Sequence, residues 1–135
     1  LRENIDKPMA PISETLRKKV AAGNLGKKSG KGFYDWTNGP PNPDEDLENA
    51  PDDLTDRLIL PMLDALVEVL RCGVAQTEDD VDAAMILATG WAPFRGGPMH
   101  YARLRGTESI VARLKELEAA HGPRFAPDKG WLDLV

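Results

Sequence analysis

The chain is poor in the residues that most covalent, metal and membrane chemistry needs. It has one cysteine, Cys72, so no internal disulfide can form and a reducing compartment is the simpler expectation. It has two histidines, His100 and His121, and neither stands at metal-ligand spacing from an acid or a cysteine, so no metal site is expected. No run of about 18 apolar residues occurs, so no membrane insertion is expected. No signal-peptide pattern opens the chain, and a cytoplasmic location is the expectation. Excess positive charge is missing too: the formal net charge of −5 argues against nucleic acid or an anionic membrane surface as a partner. No alternating strand pattern of useful length appears, which leaves an all-α fold.

What is present is unevenly distributed. At 135 residues the chain is long enough to bury one core, and its first residue is Leu1, so a piece of a longer protein is expected. From Leu1 to Thr37 there are eight Lys/Arg against four Asp/Glu; from Asn38 to Asp56 there are seven acids and no base. The second stretch also holds Pro40, Pro41, Pro43 and Pro51, and is too polar to bury anything. The organisation expected is an arm at 1–37, an acidic linker at 38–51 and a helical domain at 52–135.

In the arm, Pro11 to Ala22 reads as a helix with Ile12, Leu16 and Val20 on one face, ended by Gly23. NLGKKSGKGFYDW follows. Its glycines and lysines invite a phosphate-loop reading, but Gly26 and Gly30 have three residues between them and Lys31 is followed by Gly32, so the spacing fails. No G-x-G-x-x-G is present either. The segment reads as an irregular glycine-loosened tail that lands Phe33, Tyr34 and Trp36 on an apolar surface. Contact of Lys27, Lys28 and Lys31 with an anionic ligand is the alternative.

In the domain, Leu58, Ile59, Met62, Leu63, Leu66, Val67 and Leu70 recur at three and four, the mark of an amphipathic helix. Pro61 lies inside it and cannot bond the carbonyl of Arg57, which predicts a kink or a locally opened turn. Gly73 ends the helix, and Thr77 with Asp80 predicts a capped start to the next, with Val81, Met85 and Ala88 facing inward. The run ATGWAPFRGGPMHYARLRG, from Ala88 to Gly106, reads as a corner between helices: Gly90 caps one and Pro98 opens another. Trp91, Pro93 and Phe94 are expected to plug a groove there. Met99, Tyr101 and Leu104 give the new helix an apolar side, ended by Gly106 in a left-handed cap. Thr107 is expected to cap a last helix with Ile110, Val111, Leu114 and Leu117 inward, ending at Gly122. Phe125, Trp131 and Leu132 remain to pack from an irregular tail.

Reactive groupings are scarce. Cys72 reads as a small buried residue without a basic partner. Glu78, Asp79, Asp80 and Asp82 read as a solvated first turn, lacking the alternation and glycine of a calcium loop. His121 suits a helix C-terminus, where an imidazolium complements the dipole. His100 is a weak acid–base candidate.

LGKKSGKGFYDW, DRLILPMLDALVEVLRCGVAQTEDDVDAAM and GWAPFRGGPMHY, in that order, resemble the C-terminal portion of the 3-hydroxyacyl-CoA dehydrogenases. The likeness is closest to the multifunctional enzymes of fatty-acid β-oxidation and covers nearly the whole chain. It implies that 1–37 is the tail of a first helical copy and that 52–135 is the second copy. It also implies NAD-dependent oxidation of an (S)-3-hydroxyacyl-CoA by a parent enzyme. NAD and the catalytic dyad would belong to a Rossmann domain with no counterpart here, so no catalytic, cofactor-binding or metal residue is expected in this chain. The family's helical copies often begin with Asn-Arg where this chain has Asp56-Arg57, and an ionised aspartate only accepts hydrogen bonds. Asp64-Ala65 and Arg103 depart from the family as well. The candidate substrate or interface contacts are therefore limited to Lys27, Lys28, Lys31, Asp56, Arg57, Phe94, Gly96 and Gly97. The partners implied are the Rossmann domain and first helical copy of the parent chain, acyl-CoA through that parent, and a second copy of the fragment as a homodimer. A free-standing helical interaction module, or an acyl-CoA-binding module using the lysines, is the alternative function.

Overall fold

The computed structural model describes residues 11–40 and 49–134. Most of the expected linker, 41–48, and the first ten residues of the arm lie outside the described residues. The chain separates into two compact units, Leu1–Asn49 and Ala50–Val135.

The N-terminal unit carries one helix, α1 (Glu14–Ala21), followed by a 3-10 turn at Lys27–Ser29. Gly23, at φ +73°, turns the chain after α1, as its position predicts. The loop beyond is closed by backbone bonds from Gly26 N–H to Lys31 C=O and from Trp36 N–H to Gly30 C=O, both 2.9 Å.

The C-terminal unit is built from α2 (Leu54–Arg71), α3 (Glu78–Thr89), α4 (Pro98–Arg105) and α5 (Thr107–His121), with 3-10 turns at Pro93–Arg95, Pro123–Phe125 and Lys129–Leu134. Among the described residues there is no strand, only isolated bridges in the N-terminal loop. Helix α3 packs on α4, α4 on α5, and α2 touches all three along its length. The last turn of the chain folds back onto α2. No helix among the described residues is long and apolar enough to cross a membrane.

The core is Leu60, Leu63 and Val67 of α2, Val81 of α3, Met99 and Ala102 of α4, Ile110, Leu114 and Leu117 of α5, and Phe125 and Trp131 of the tail. Its centre on α2 is rotated from the expected face. Leu60, absent from the expected stripe, is fully buried, whereas Leu58, which was in it, is 66% exposed. Packing on two sides, by the other helices and by the tail, decides which part of a wide apolar stripe goes inside. The same competition leaves Leu104, Leu132 and Ala88 exposed against expectation. Helix α2 runs through Pro61 without ending. Thr77 and Asp80 form the predicted capping box, each side chain accepting the other residue's backbone N–H at 3.1 Å. Thr107, by contrast, caps nothing: it is the first residue of α5, and Gly106 stands at the cap with φ +89° and ψ 122°, outside the left-handed helical well expected of it. Cys72 is exposed rather than buried, because α2 ends on it at the surface.

Leu63 and Ile110 are each fully buried, and truncation of either to alanine is expected to cost about 2–5 kcal/mol, read as a lower denaturation midpoint at unchanged slope.

Candidate functional site

The corner between α3 and α4 is held by a carboxylate from the wrong side of it. Asp82 lies in the second turn of α3 and is 6% exposed. Its Oδ1 accepts the Met99 N–H at 2.6 Å and its Oδ2 accepts the His100 N–H at 3.0 Å. These are two of the unpaired donors at the start of α4, where Pro98 has no N–H and Gly97 has no side chain to supply a cap. Asp82 therefore caps a helix other than its own, and the helix dipole favours its charge there. The expectation that it sits in a solvated acidic turn fails, since only Glu78, Asp79 and Asp80 of that group lie in the first turn of α3.

The double glycine makes this contact possible. Gly97 has φ +99°, and a Cβ built on it would lie 2.3 Å from Cγ of Asp82. A Cβ on Gly96, at φ +75°, would strike the His100 ring at 2.5 Å. Both candidate glycines thus permit close approach rather than contact a ligand. Phe94, also a candidate, does not plug a groove: it is 85% exposed, because the turn Pro93–Arg95 points it away from the core, with only the Arg95 guanidinium over its ring. Trp91 carries the packing instead, edge-on to Tyr101 at 6.3 Å between ring centres. A cleft of about 270 Å³ opens between Thr55, Ile59, Trp91, Arg95 and Tyr101.

Asp56, the other candidate carboxylate, joins three helices. From α2 it accepts Arg105 Nη1 at 2.7 Å on one oxygen and Arg113 Nε at 2.8 Å on the other. The hydrogen bond from Arg105 is the largest cause of a pKa held below the ordinary carboxylate value, with Arg113 adding to it against the opposing effect of burial. A carboxylate so engaged is a poor base. Arg57 faces elsewhere: its Nη1 is 3.6 Å from Asp53, and its Nε is buried without a hydrogen-bond partner. Asp53 also meets His121 Nε2 at 2.7 Å, so His121 links the end of α5 to the start of α2.

Asp64 was noted in the sequence only as a departure from the family. Its Oδ1 accepts both the Asp128 N–H at 2.6 Å and the Trp131 indole N–H at 2.9 Å. Arg71 pairs with Asp128 through two bonds of 2.7 and 2.8 Å. Lys27, Lys28 and Lys31 are exposed in the N-terminal unit. Phe33 and Tyr34 of that unit are 65% and 62% exposed, and Trp36 is half-buried. Asp82 and Asp64 could not have been found from motif spacing; each is an acid at a helical position with an inward-facing apolar neighbour, Val81 and Leu63.

These carboxylates accept backbone or indole N–H groups or pair with arginines and a histidine, and the described residues bring together no group of three metal-ligating side chains. The class defined is an all-α helical domain. No family model matches the chain. It is, however, homologous to part of the fatty acid oxidation complex subunit alpha. It is 32% identical to that of Vibrio parahaemolyticus over 120 residues, 82% of this chain and 17% of that protein. The Vibrio vulnificus subunit gives 33% with the same coverage, and that of Idiomarina loihiensis 31% over 84% of this chain and 18% of its own. The chain thus spans less than a fifth of the curated relatives it matches.

Three outcomes follow for the site. Gly97→Ala is expected to destabilise the fold more than Gly122→Ala, since Gly122 has a similar φ of +98° but nothing within 4 Å of its Cβ position. Thermal denaturation of the pair isolates the Asp82 contact from backbone strain, and Asp82→Ala itself should cost roughly 1–3 kcal/mol by leaving the buried Met99 N–H unpaired. Because the Asp56 pKa is lowered on folding, its ion pairs stabilise fully above the unfolded value of about 3.9 and are lost as pH falls through the lower folded value. An Asp56→Asn variant should therefore be less stable than the parent at pH 7, with the gap closing below about pH 4.

Proposed function

We propose that this chain is the C-terminal helical domain, with the tail of a preceding helical copy, of an NAD-dependent (S)-3-hydroxyacyl-CoA dehydrogenase of fatty-acid β-oxidation. Its similarity to the fatty acid oxidation complex alpha subunits over some four-fifths of its length carries the reading. The oxidation belongs to the parent enzyme, where NAD is bound by a Rossmann domain outside this sequence. The role of the present chain is scaffolding: it braces the first helical copy and shapes the substrate cleft from outside, in the cytoplasm. The engagement of Asp56 in ion pairs, Asp82 in a helix cap and Asp64 with the Asp128 N–H and the Trp131 indole supports that role, since none of the three is left to move a proton. Leu58, Leu87, Phe94 and Leu104 are each more than 60% exposed on the C-terminal unit, and such apolar surface favours a homodimer when the rest of the parent is missing.

The purified 135-residue chain is expected to give no turnover of a 3-hydroxyacyl-CoA with NAD, and no heat of NAD binding by calorimetry. Detectable turnover would overturn the scaffold assignment. Sedimentation at tens of micromolar should return a dimer; a monomer there counts against the homodimer.

A further inference from the structure

The C-terminal unit is acidic, with fourteen Asp/Glu against nine Lys/Arg between residues 50 and 135, so a guanidinium there has carboxylates to choose from. Arg57, Arg71, Arg103, Arg105 and Arg113 each pair with one. Among the described residues Arg95 and Arg124 do not. Arg124 lies 4.5 Å from the centre of the Phe125 ring, which is buried in the core. Arg95 instead lines the cleft of about 270 Å³ beside α2, with only the exposed Phe94 ring, 5.7 Å away, against its guanidinium. A second unpaired donor lines the same cleft: Trp91 Nε1 is buried and has no hydrogen-bond partner. An indole N–H and a guanidinium can only donate, and a donor buried unpaired destabilises the fold until an acceptor reaches it. Tyr101 adds a hydroxyl that accepts Arg105 Nη1 at 3.2 Å, so its own O–H can still donate. Thr55 adds another hydroxyl, and Ile59 with the edge-on Trp91 and Tyr101 rings supplies apolar wall. No acid among the described residues lines the cleft.

We propose that this cleft binds a small aromatic monocarboxylate, its carboxylate taken by the Arg95 guanidinium and the Trp91 indole N–H and its ring laid against Ile59 and Tyr101. Donors without acceptors select an anion, and charge-assisted bonds from a guanidinium suit a carboxylate. The net charge of the unit selects a monoanion, because a phosphate dianion would meet the repulsion of its excess acids. The ring walls select an aromatic body over a flexible chain. The volume holds one small molecule and leaves no room for a nucleotide-bearing ligand. The site is complete within the C-terminal unit and does not rest on the parent-enzyme reading.

Titration with phenylacetate, followed by NMR on the indole N–H signals of this chain, tests the proposal. The Trp91 signal, assigned through Trp91→Phe, should move saturably with a Kd on the order of 1 mM or tighter. The Trp131 signal should stay in place, since that N–H is already taken by Asp64, and its persistence in each variant reports an intact fold. Phenylacetamide, neutral and of the same shape, should bind on the order of 10-fold more weakly, as should phenylacetate to Arg95→Gln. No saturable movement of Trp91, a Trp131 signal that moves with it, or equal binding of acid and amide would each overturn the site. Calorimetry on the full-length protein that carries this chain should give the same preference for phenylacetate over its amide. Binding to this chain with none to the full-length protein would show that another segment already fills the cleft, and would overturn the proposal as well.

Discussion

The arrangement of the C-terminal unit depends on one carboxylate accepting the first free N–H groups of a helix that begins sixteen residues later. Without Asp82, α4 would start inside the protein with buried donors and no cap, since Pro98 and Gly97 offer none. With it, α3 and α4 are fixed in both distance and angle, because a carboxylate can satisfy adjacent N–H groups from only one direction. Met99 and Ala102 then point into the core from α4, and Trp91 is brought edge-on to Tyr101. The glycines serve that contact. Any side chain at 97 would occupy the space the carboxylate needs.

A second acid does for the tail what Asp82 does for the corner. Asp64 takes a backbone N–H and an indole N–H on the same oxygen, so that Trp131, 2% exposed, is buried with its one polar atom satisfied. Arg71 and Asp128 close the same loop from the other side, and the Asp128 hydrogen bonds hold the Arg71 guanidinium above its usual range. Asp56 repeats the pattern with Arg105 and Arg113. Short helices with modest apolar stripes thus hold their crossing geometry through polar bonds between elements, whose directionality supplies what a small core leaves loose.

Local rules made most of the elements legible in the sequence. Period-3.6 apolar spacing marks α2 and α5, glycine after a periodic run marks the ends at Gly73, Gly90 and Gly122, and Thr77 with Asp80 marks the start of α3. What stayed hidden depends on partners distant in sequence. Asp82 looks like a fifth-position acid in an acidic turn until α4 is placed above it, and Leu60 looks like a flank of the stripe until α2 is covered from two sides. Phe94 shows the opposite error. Three apolar residues in a short loop suggested a plug, but the loop buries Trp91 in part and turns Phe94 outward.

The candidate site was legible in its residues and not in their roles. Asp56, Gly96 and Gly97 are all at structurally decisive points, yet each is decisive for packing: Asp56 because two guanidiniums take both its oxygens, and the glycines because a carboxylate and an imidazole occupy the space beside them. A residue needed for close approach and one needed for chemistry look alike in a single sequence, since residue type alone records neither role. Geometry separates them. Where both oxygens of an acid are bound to arginines within 2.8 Å, the charge is neutralised inside the fold and cannot be presented to a substrate.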